Sequence, residues 1–424
     1  MQLARSLYNH RGDVLLARGT TLNPAFISSI NQRGYHSVYI MDGIADDVEP
    51  LGLVSQRLRS ATVRNLDSMF ELVATATKPV VDQAKEEGAH VLREVPPKLA
   101  TAVERQMKRL EDQVEQLLGE ALEAHILQGV ASLKSHDNYT FEHSVDVAVY
   151  GVMLGRKLAL PHEYLRDLAL GCLLHDIGKM YVDERVISKP GKLTPAEFKQ
   201  VMRHTVLGFQ LMRQMPISSP RPAHVALQHH EHQSGSGYPN GLVGTNKIFR
   251  TPRERFDTTR MTLLAELAAV ADVCSALSSD RPQRGAMAPP EVLAHLRRMA
   301  GEHLNAEAVE AFVSMVEVYP VGVHVRFGSG KYAGYYGVVV ECRPSAPNRP
   351  LVRLLFDASG APEPEGVEID LRKESDDPDL TAVPEGGMSL EEHARRVASA
   401  NLSASRSWPQ PASALTALRQ TRPE

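Results

Sequence analysis

The sequence predicts a mainly α-helical chain, a helical bundle flanked by a small N-terminal α+β unit and a small C-terminal β appendage. Three observations carry this. Helix-period apolar spacing runs through most of 47–316, short apolar segments broken by turn residues fill 1–46, and alternating apolar residues begin only after Tyr319-Pro320. With 424 residues, 43% of them hydrophobic, the chain can hold two or three globular units.

In the first unit, 1–46, Arg11-Gly12-Asp13 precedes Val14-Leu15-Leu16, and Gly34 precedes Val38-Tyr39-Ile40, as turns precede short strands. Between them Asn23-Pro24 opens a helix carrying Phe26, Ile27 and Ile30. Residues 47–128 read as a charge-rich helical connector, in which Val103, Met107, Leu110, Val114 and Leu117 recur every three or four positions. Pro79 and Pro96-Pro97 are expected to divide it into several helices. So narrow a stripe is hard to bury in one small hairpin, which leads to the expectation of a homodimer through these helices.

Residues 129–316 read as an all-helical core. The segments 323–327, 337–340 and 351–356 give three strands for a β appendage over 317–378, and the Ser-, Ala-, Pro- and Glu-rich stretch 379–424 is expected to be a disordered tail.

A net charge of -4 argues against a nucleic acid polymer as partner. Cys172, Cys274 and Cys342 form no paired motif, which excludes a disulfide framework and a thiolate zinc site. No run approaches the roughly 18 apolar residues of a membrane span, and Arg5 and Asn9 stand where a signal peptide would be apolar, so a cytoplasmic protein is expected.

Histidine locates the chemistry. Of 17 in the chain, His136, His143, His162, His175, His204, His224, His229, His230 and His232 crowd into about a hundred residues. His175-Asp176 ends an apolar helical run; by itself that pair reads equally well as a polar helix terminus. His143, His204, His229-His230 and Asp272 lie in other helical segments, His143 and Asp272 among apolar neighbours where a polar group needs a partner. Imidazoles and carboxylates converging in a bundle suit divalent ions of the iron or manganese type; zinc is possible but not demanded. Two such ions fit phosphodiester hydrolysis. After His229-His230 comes a loop of small residues ending in Gly237-Tyr238-Pro239, which lets a ligand approach the backbone, and Arg281 and Arg284 offer cations for phosphate oxygens or simply a solvated loop.

The order HDIGK at 175–179, KPGKLT at 189–194, His204, HHE at 229–231, GSGYP at 235–239 and the Asp272 helix ending in SSDRP at 278–282 resembles the HD-GYP family. The resemblance covers about 129–316, and the flanks resemble those of HD-GYP proteins of one architecture. It implies a metal-dependent phosphodiesterase that cleaves cyclic di-GMP to pGpG or onward to GMP. It implies His143, His175, Asp176, His204, His229, His230 and Asp272 as ligands of two ions, Fe or Mn, with Asp176 bridging and catalytic beside Lys179. Lys179, Gly237, Tyr238, Pro239, Arg281 and Arg284 are implied at the substrate.

The chain departs from the family pattern at Ser234 and Ser275, both usually Asp, at Gln283, usually Tyr, and at Glu266, usually Arg; an extra segment spans about 249–261. Tyr139 stands where members with three metals have Glu, so two ions are expected. Against the phosphodiesterase stand two alternatives: a catalytically weak cyclic di-GMP receptor acting through signalling partners, which the loop substitutions favour, and an HD phosphohydrolase of another substrate, which the GYP loop opposes.

Overall fold

The structure is a computed structural model that describes residues 2–4, 6–8, 14–32, 38, 40–41, 53–86, 97–123, 139–187, 189, 191–255, 257–279, 287, 289–317, 319, 321–343, 346–361, 363, 367–374 and 380–382. At the N-terminus β1 (Gln2–Leu3) pairs with β4 (Ile40–Met41), and β2 (Leu7–Tyr8) with β3 (Val14–Leu16), all antiparallel. Helix α1 (Pro24–Gln32) starts at the expected Asn23-Pro24, with the Asn23 side chain accepting from the Phe26 backbone N–H at 2.8 Å. Leu3, Leu7 and Ile30 close this small core.

The connector is a pair of long helices, α2 (Gln56–Glu86) and α3 (Pro97–Glu123). Pro97 opens α3, but Pro79 does not end α2, which continues through it for seven residues: proline sacrifices a backbone donor, yet its fixed φ is already helical. The stripe Val103, Met107, Leu110, Val114 and Leu117 is buried, each residue at most 2% exposed, in one apolar cluster with α2 and the helices that follow. Burying each such side chain is worth roughly 1.5–3 kcal/mol. The stripe is therefore covered within the chain and gives no reason to invoke a second copy.

The main bundle consists of α4 (Tyr139–Lys157), α5 (His162–Leu174), a 3-10 turn (Ile177–Tyr181), α6 (Glu184–Ile187), α7 (Pro195–Met212), α8 (Arg221–Gln228), α9 (Pro252–Arg255), α10 (Leu263–Leu277), α11 (Pro289–Met299) and α12 (Ala306–Val313). Helices α5 and α10 are buried along most of their length, as their nearly uninterrupted apolar sequences require, and α4 packs on both. Helix α2 packs on the elements that carry the histidines, with Arg59 to Asp146 of α4 at 2.5 Å, Phe70 edge-on to Phe141 at 5.0 Å, and Thr77 to Tyr181 at 2.8 Å among its contacts.

At the C-terminus β5 (His324–Phe327), β6 (Tyr336–Arg343), β7 (Ala346–Phe356), β8 (Glu368–Asp370) and β9 (Leu380–Ala382) form one antiparallel sheet in the order β8-β7-β6-β5-β9. Five strands thus stand where three are expected. Strand β9 corrects the expected tail: Leu380 to Ala382 pair with Phe327 to Val325, supplying the unpaired edge of β5 with a neighbour. The rest of the tail, 383–424, lies outside the described residues.

Candidate metal centre

Four local features aim the histidines inward. His175 caps α5 and turns its Nδ1 onto the Cys172 carbonyl at 2.6 Å; His204, within α7, does the same to the Val201 carbonyl at 2.5 Å; His229, capping α8, to that of Ala226 at 3.0 Å. In the neutral rings of His204 and His229 an Nδ1 this close to a carbonyl carries the proton, which leaves Nε2 with its lone pair facing the centre. His143 on α4 is held instead by the Ser275 hydroxyl on α10, 2.9 Å from Nδ1, with Nε2 3.0 Å from Asp272 Oδ1.

Asp176 is the hub. Its Oδ2 accepts from Lys179 Nζ at 2.6 Å and lies 3.3 Å from His175 Nε2. Its Oδ1, fully buried with no hydrogen-bond partner among the described residues, lies 3.4 Å from His204 Nε2 and 3.8 Å from His229 Nε2. Those two Nε2 atoms are themselves 3.3 Å apart. Ligand atoms of His204, His229 and His230 fall within 4.8 Å of one another, as do those of His143, His175 and Asp176. His230 is further fixed by Tyr238, whose ring stacks on it at 4.8 Å.

Burial pushes the His204 imidazole down to about 4 and His230 to about 3, and holds His229 well below the usual histidine range. These three are neutral near pH 7. Burial alone would raise the Asp176 carboxyl, but His175 and Lys179 outweigh it and hold it well below the usual range; the bond from His143 does the same for Asp272. Two imidazole lone pairs thus face one orphaned carboxylate oxygen, and each repels the others unless a cation lies between them. The residues fit divalent metal ions: neutral nitrogens as ligands, carboxylate oxygens to offset charge, and no thiolate, the nearby Cys172 thiol being pushed up by burial.

All seven residues expected as ligands therefore converge, with Lys179 among them. Gly178 explains the HDIGK motif sterically: a Cβ there would meet the His204 carbonyl oxygen at 1.9 Å, so only glycine lets the 3-10 turn lie on the α7 backbone. Gly237 is as tightly held, since a Cβ would sit 2.4 Å from the His232 nitrogen; Tyr238, next in the chain, is the residue that stacks on His230. Arg281, Arg284 and Gln283 lie outside the described residues, and so does the side chain of Tyr139.

Three roles were not read from the sequence. Glu231, buried, accepts from the backbone N–H groups of Asn240 at 2.7 Å and Leu242 at 2.9 Å, which staples the loop after Tyr238. Ser275, noted only as a departure, orients His143. Glu266 gains its cation from the extra segment: Arg250 donates to it, and Asn305 does so at 2.6 Å.

Residues 125–248 match the HD domain family, and 333–376 match a KOW domain associated with HD domain. The cyclic di-GMP phosphodiesterase PA4108 of Pseudomonas aeruginosa is 37% identical over 246 residues, 58% of this chain and 55% of that one. The 3'3'-cGAMP-specific phosphodiesterase 1 of Vibrio cholerae is 34% identical, over 46% of this chain and 42% of its own. Among solved structures, Bd1817, a HDG"Y"P protein from Bdellovibrio bacteriovorus, aligns with a TM-score of 0.42 and 14% identity over 74% of this chain and 94% of that one. The chain spans about half the length of the curated relatives it matches. Residues 125–248 thus carry the match to the HD domain family, and the six ordered motifs between 175 and 282 are those by which the sequence resembles the HD-GYP kind.

Proposed function

We propose that the chain is a metal-dependent phosphodiesterase acting on a guanine-containing cyclic dinucleotide, cyclic di-GMP first, with pGpG or GMP as product. One observation carries the reading: the orphaned Oδ1 of Asp176 facing two imidazole lone pairs, with the Lys179 ammonium on the same carboxylate. The relatives named above act on two such dinucleotides, which supports the substrate class.

His143, His175, Asp176, His204, His229, His230 and Asp272 would hold two divalent ions, iron or manganese, Asp176 reaching both groups of ligands. When bound, divalent ions supply Lewis acidity toward a phosphodiester and acidify water. Lys179, at the rim of the cluster, offsets negative charge on the phosphate oxygens or protonates the leaving oxygen. Tyr238, stacked on His230, would bound the substrate, with Gly237 and Pro239 shaping the loop around it. Arg281 and Arg284 belong to this reading as further phosphate contacts.

Among the described residues no helix is long and apolar enough to cross a membrane. The homodimer belongs to this reading only through a surface other than the α3 stripe, and light scattering at micromolar concentration reads it directly.

The test is hydrolysis of cyclic di-GMP and 3'3'-cGAMP by manganese- or iron-loaded protein, with products resolved by chromatography. Asp176→Ala is expected to abolish turnover while circular dichroism stays unchanged. Tight binding of cyclic di-GMP with no pGpG or GMP formed would replace this reading by the receptor.

A further inference from the structure

Next to Tyr238, one ring removed from the candidate ligand His230, stands a half-exposed aromatic ring that the mechanism does not use. Phe198 is 47% exposed, among the most exposed large apolar side chains described. Its ring lies edge-on to Tyr238 at 5.9 Å, and Tyr238 in turn stacks on His230 at 4.8 Å. A phenyl ring left half in water forgoes part of its burial energy.

The backbone under Phe198 is unusually well fixed. It lies in the first turn of α7, where Thr194 and Glu197 form a reciprocal cap, and its own N–H donates to the Thr194 carbonyl at 2.8 Å. Lys189 holds Glu197 through both carboxylate oxygens at 2.8 Å and keeps that carboxyl down at about 2. The KPGKLT motif thus anchors the turn that presents Phe198. A rigid ring at a fixed distance from a phosphate-binding centre is what stacking a nucleobase requires, because the ordering has been done before the ligand arrives.

We propose that Phe198 and Tyr238 together form the wall on which a purine base of the substrate lies, and that Phe198 determines affinity rather than rate. The inference rests on the dinucleotide reading above. Stacking acts on bound substrate and on the transition state alike, so its loss raises KM and leaves kcat unchanged.

Phe198→Leu keeps an apolar side chain of similar bulk against Tyr238 but removes the π face; Phe198→Trp keeps the face. In the manganese-loaded 424-residue chain, Phe198→Leu is expected to raise KM for cyclic di-GMP about five- to tenfold, within the range of base–aromatic stacking, with kcat within about twofold. Phe198→Trp is expected to hold KM near the wild-type value. A purely structural ring would show the opposite pattern, tolerating leucine better than the larger indole. Equilibrium dialysis with labelled cyclic di-GMP repeats the comparison as Kd and does not depend on turnover. An unchanged KM and Kd in Phe198→Leu, with wild type active, would overturn the base wall alone. Failure of wild type to hydrolyse either cyclic di-GMP or bis-p-nitrophenyl phosphate would overturn the hydrolase reading, while the Kd comparison still decides the role of Phe198.

Discussion

The Ser275 hydroxyl lies 2.9 Å from Nδ1 of His143, and the opposite nitrogen of that ring lies 3.0 Å from Asp272, two residues joined through one imidazole. Ser275 and Asp272 are three apart on α10, so one helix face supplies both the candidate ligand and the group that aims its neighbour.

Replacing Ser275 by alanine should free the His143 ring to rotate without touching the fold. Loss of such an orienting partner typically lowers metal affinity tenfold to a hundredfold. Manganese titration of chelator-treated protein measures it. An unchanged affinity would show that packing alone sets the ring.

Arg250 and Glu266 are both buried, and the cation comes from the extra segment around 249–261. Arg250→Met leaves Glu266 buried with Asn305 but without its counter-charge, and about 3–5 kcal/mol of stability should go with it. Adding Glu266→Leu should restore most of the loss. Urea denaturation of both single variants and the double variant gives the coupling, and simple additivity would refute it.

What was legible in the sequence follows what its chemistry announces locally. The seven candidate ligands could be read because their motifs keep a fixed order and each sits at a helix end or on an apolar face. The Phe198 wall could not, since nothing near residue 198 announces that the GYP loop folds back beside it. Periodicity showed that the Val103–Leu117 spacing is buried but is silent on which surface covers it, and α2, α4 and α5 do so here. Pro79 misled for a related reason: one lost hydrogen bond is small against the packing of a 31-residue helix. Strand β9 is three residues long, too short for any pattern, and exists because β5 has an edge to fill.

The metal-free protein should lose stability as pH falls. His204, His229 and His230 have folded pKa values below the unfolded value near 6.5, at about 4 and about 3 where numbers can be given. Below pH 6.5 the unfolded chain binds protons that the folded one refuses, so their contribution is full above that pH and is lost on descent toward about 4. His175, raised by Asp176 although burial opposes it, works in the other sense but is one group against three. Urea midpoints of chelated protein at pH 7.5, 6 and 5 should decline in that order. A flat or rising series would contradict the neutral assignment.

The last prediction is the number of ions. The described donors divide into two groups, His204 with His229 and His230, and His143 with His175 and Asp176, and Asp272 adds an oxygen beside His143. A third cation would need further anionic oxygens, since its charge adds to two already present. The residue one turn before His143 on α4 is Tyr139, the first residue of that helix, and a tyrosine lacks the carboxylate oxygens that a glutamate would bring. Glu142, in the same first turn, is the carboxylate that could substitute. Elemental analysis of anaerobically purified protein should therefore give about two metals per chain, and the same value for Glu142→Gln. A reproducible ratio near three that drops to two in Glu142→Gln would refute the dinuclear count and name the residue responsible.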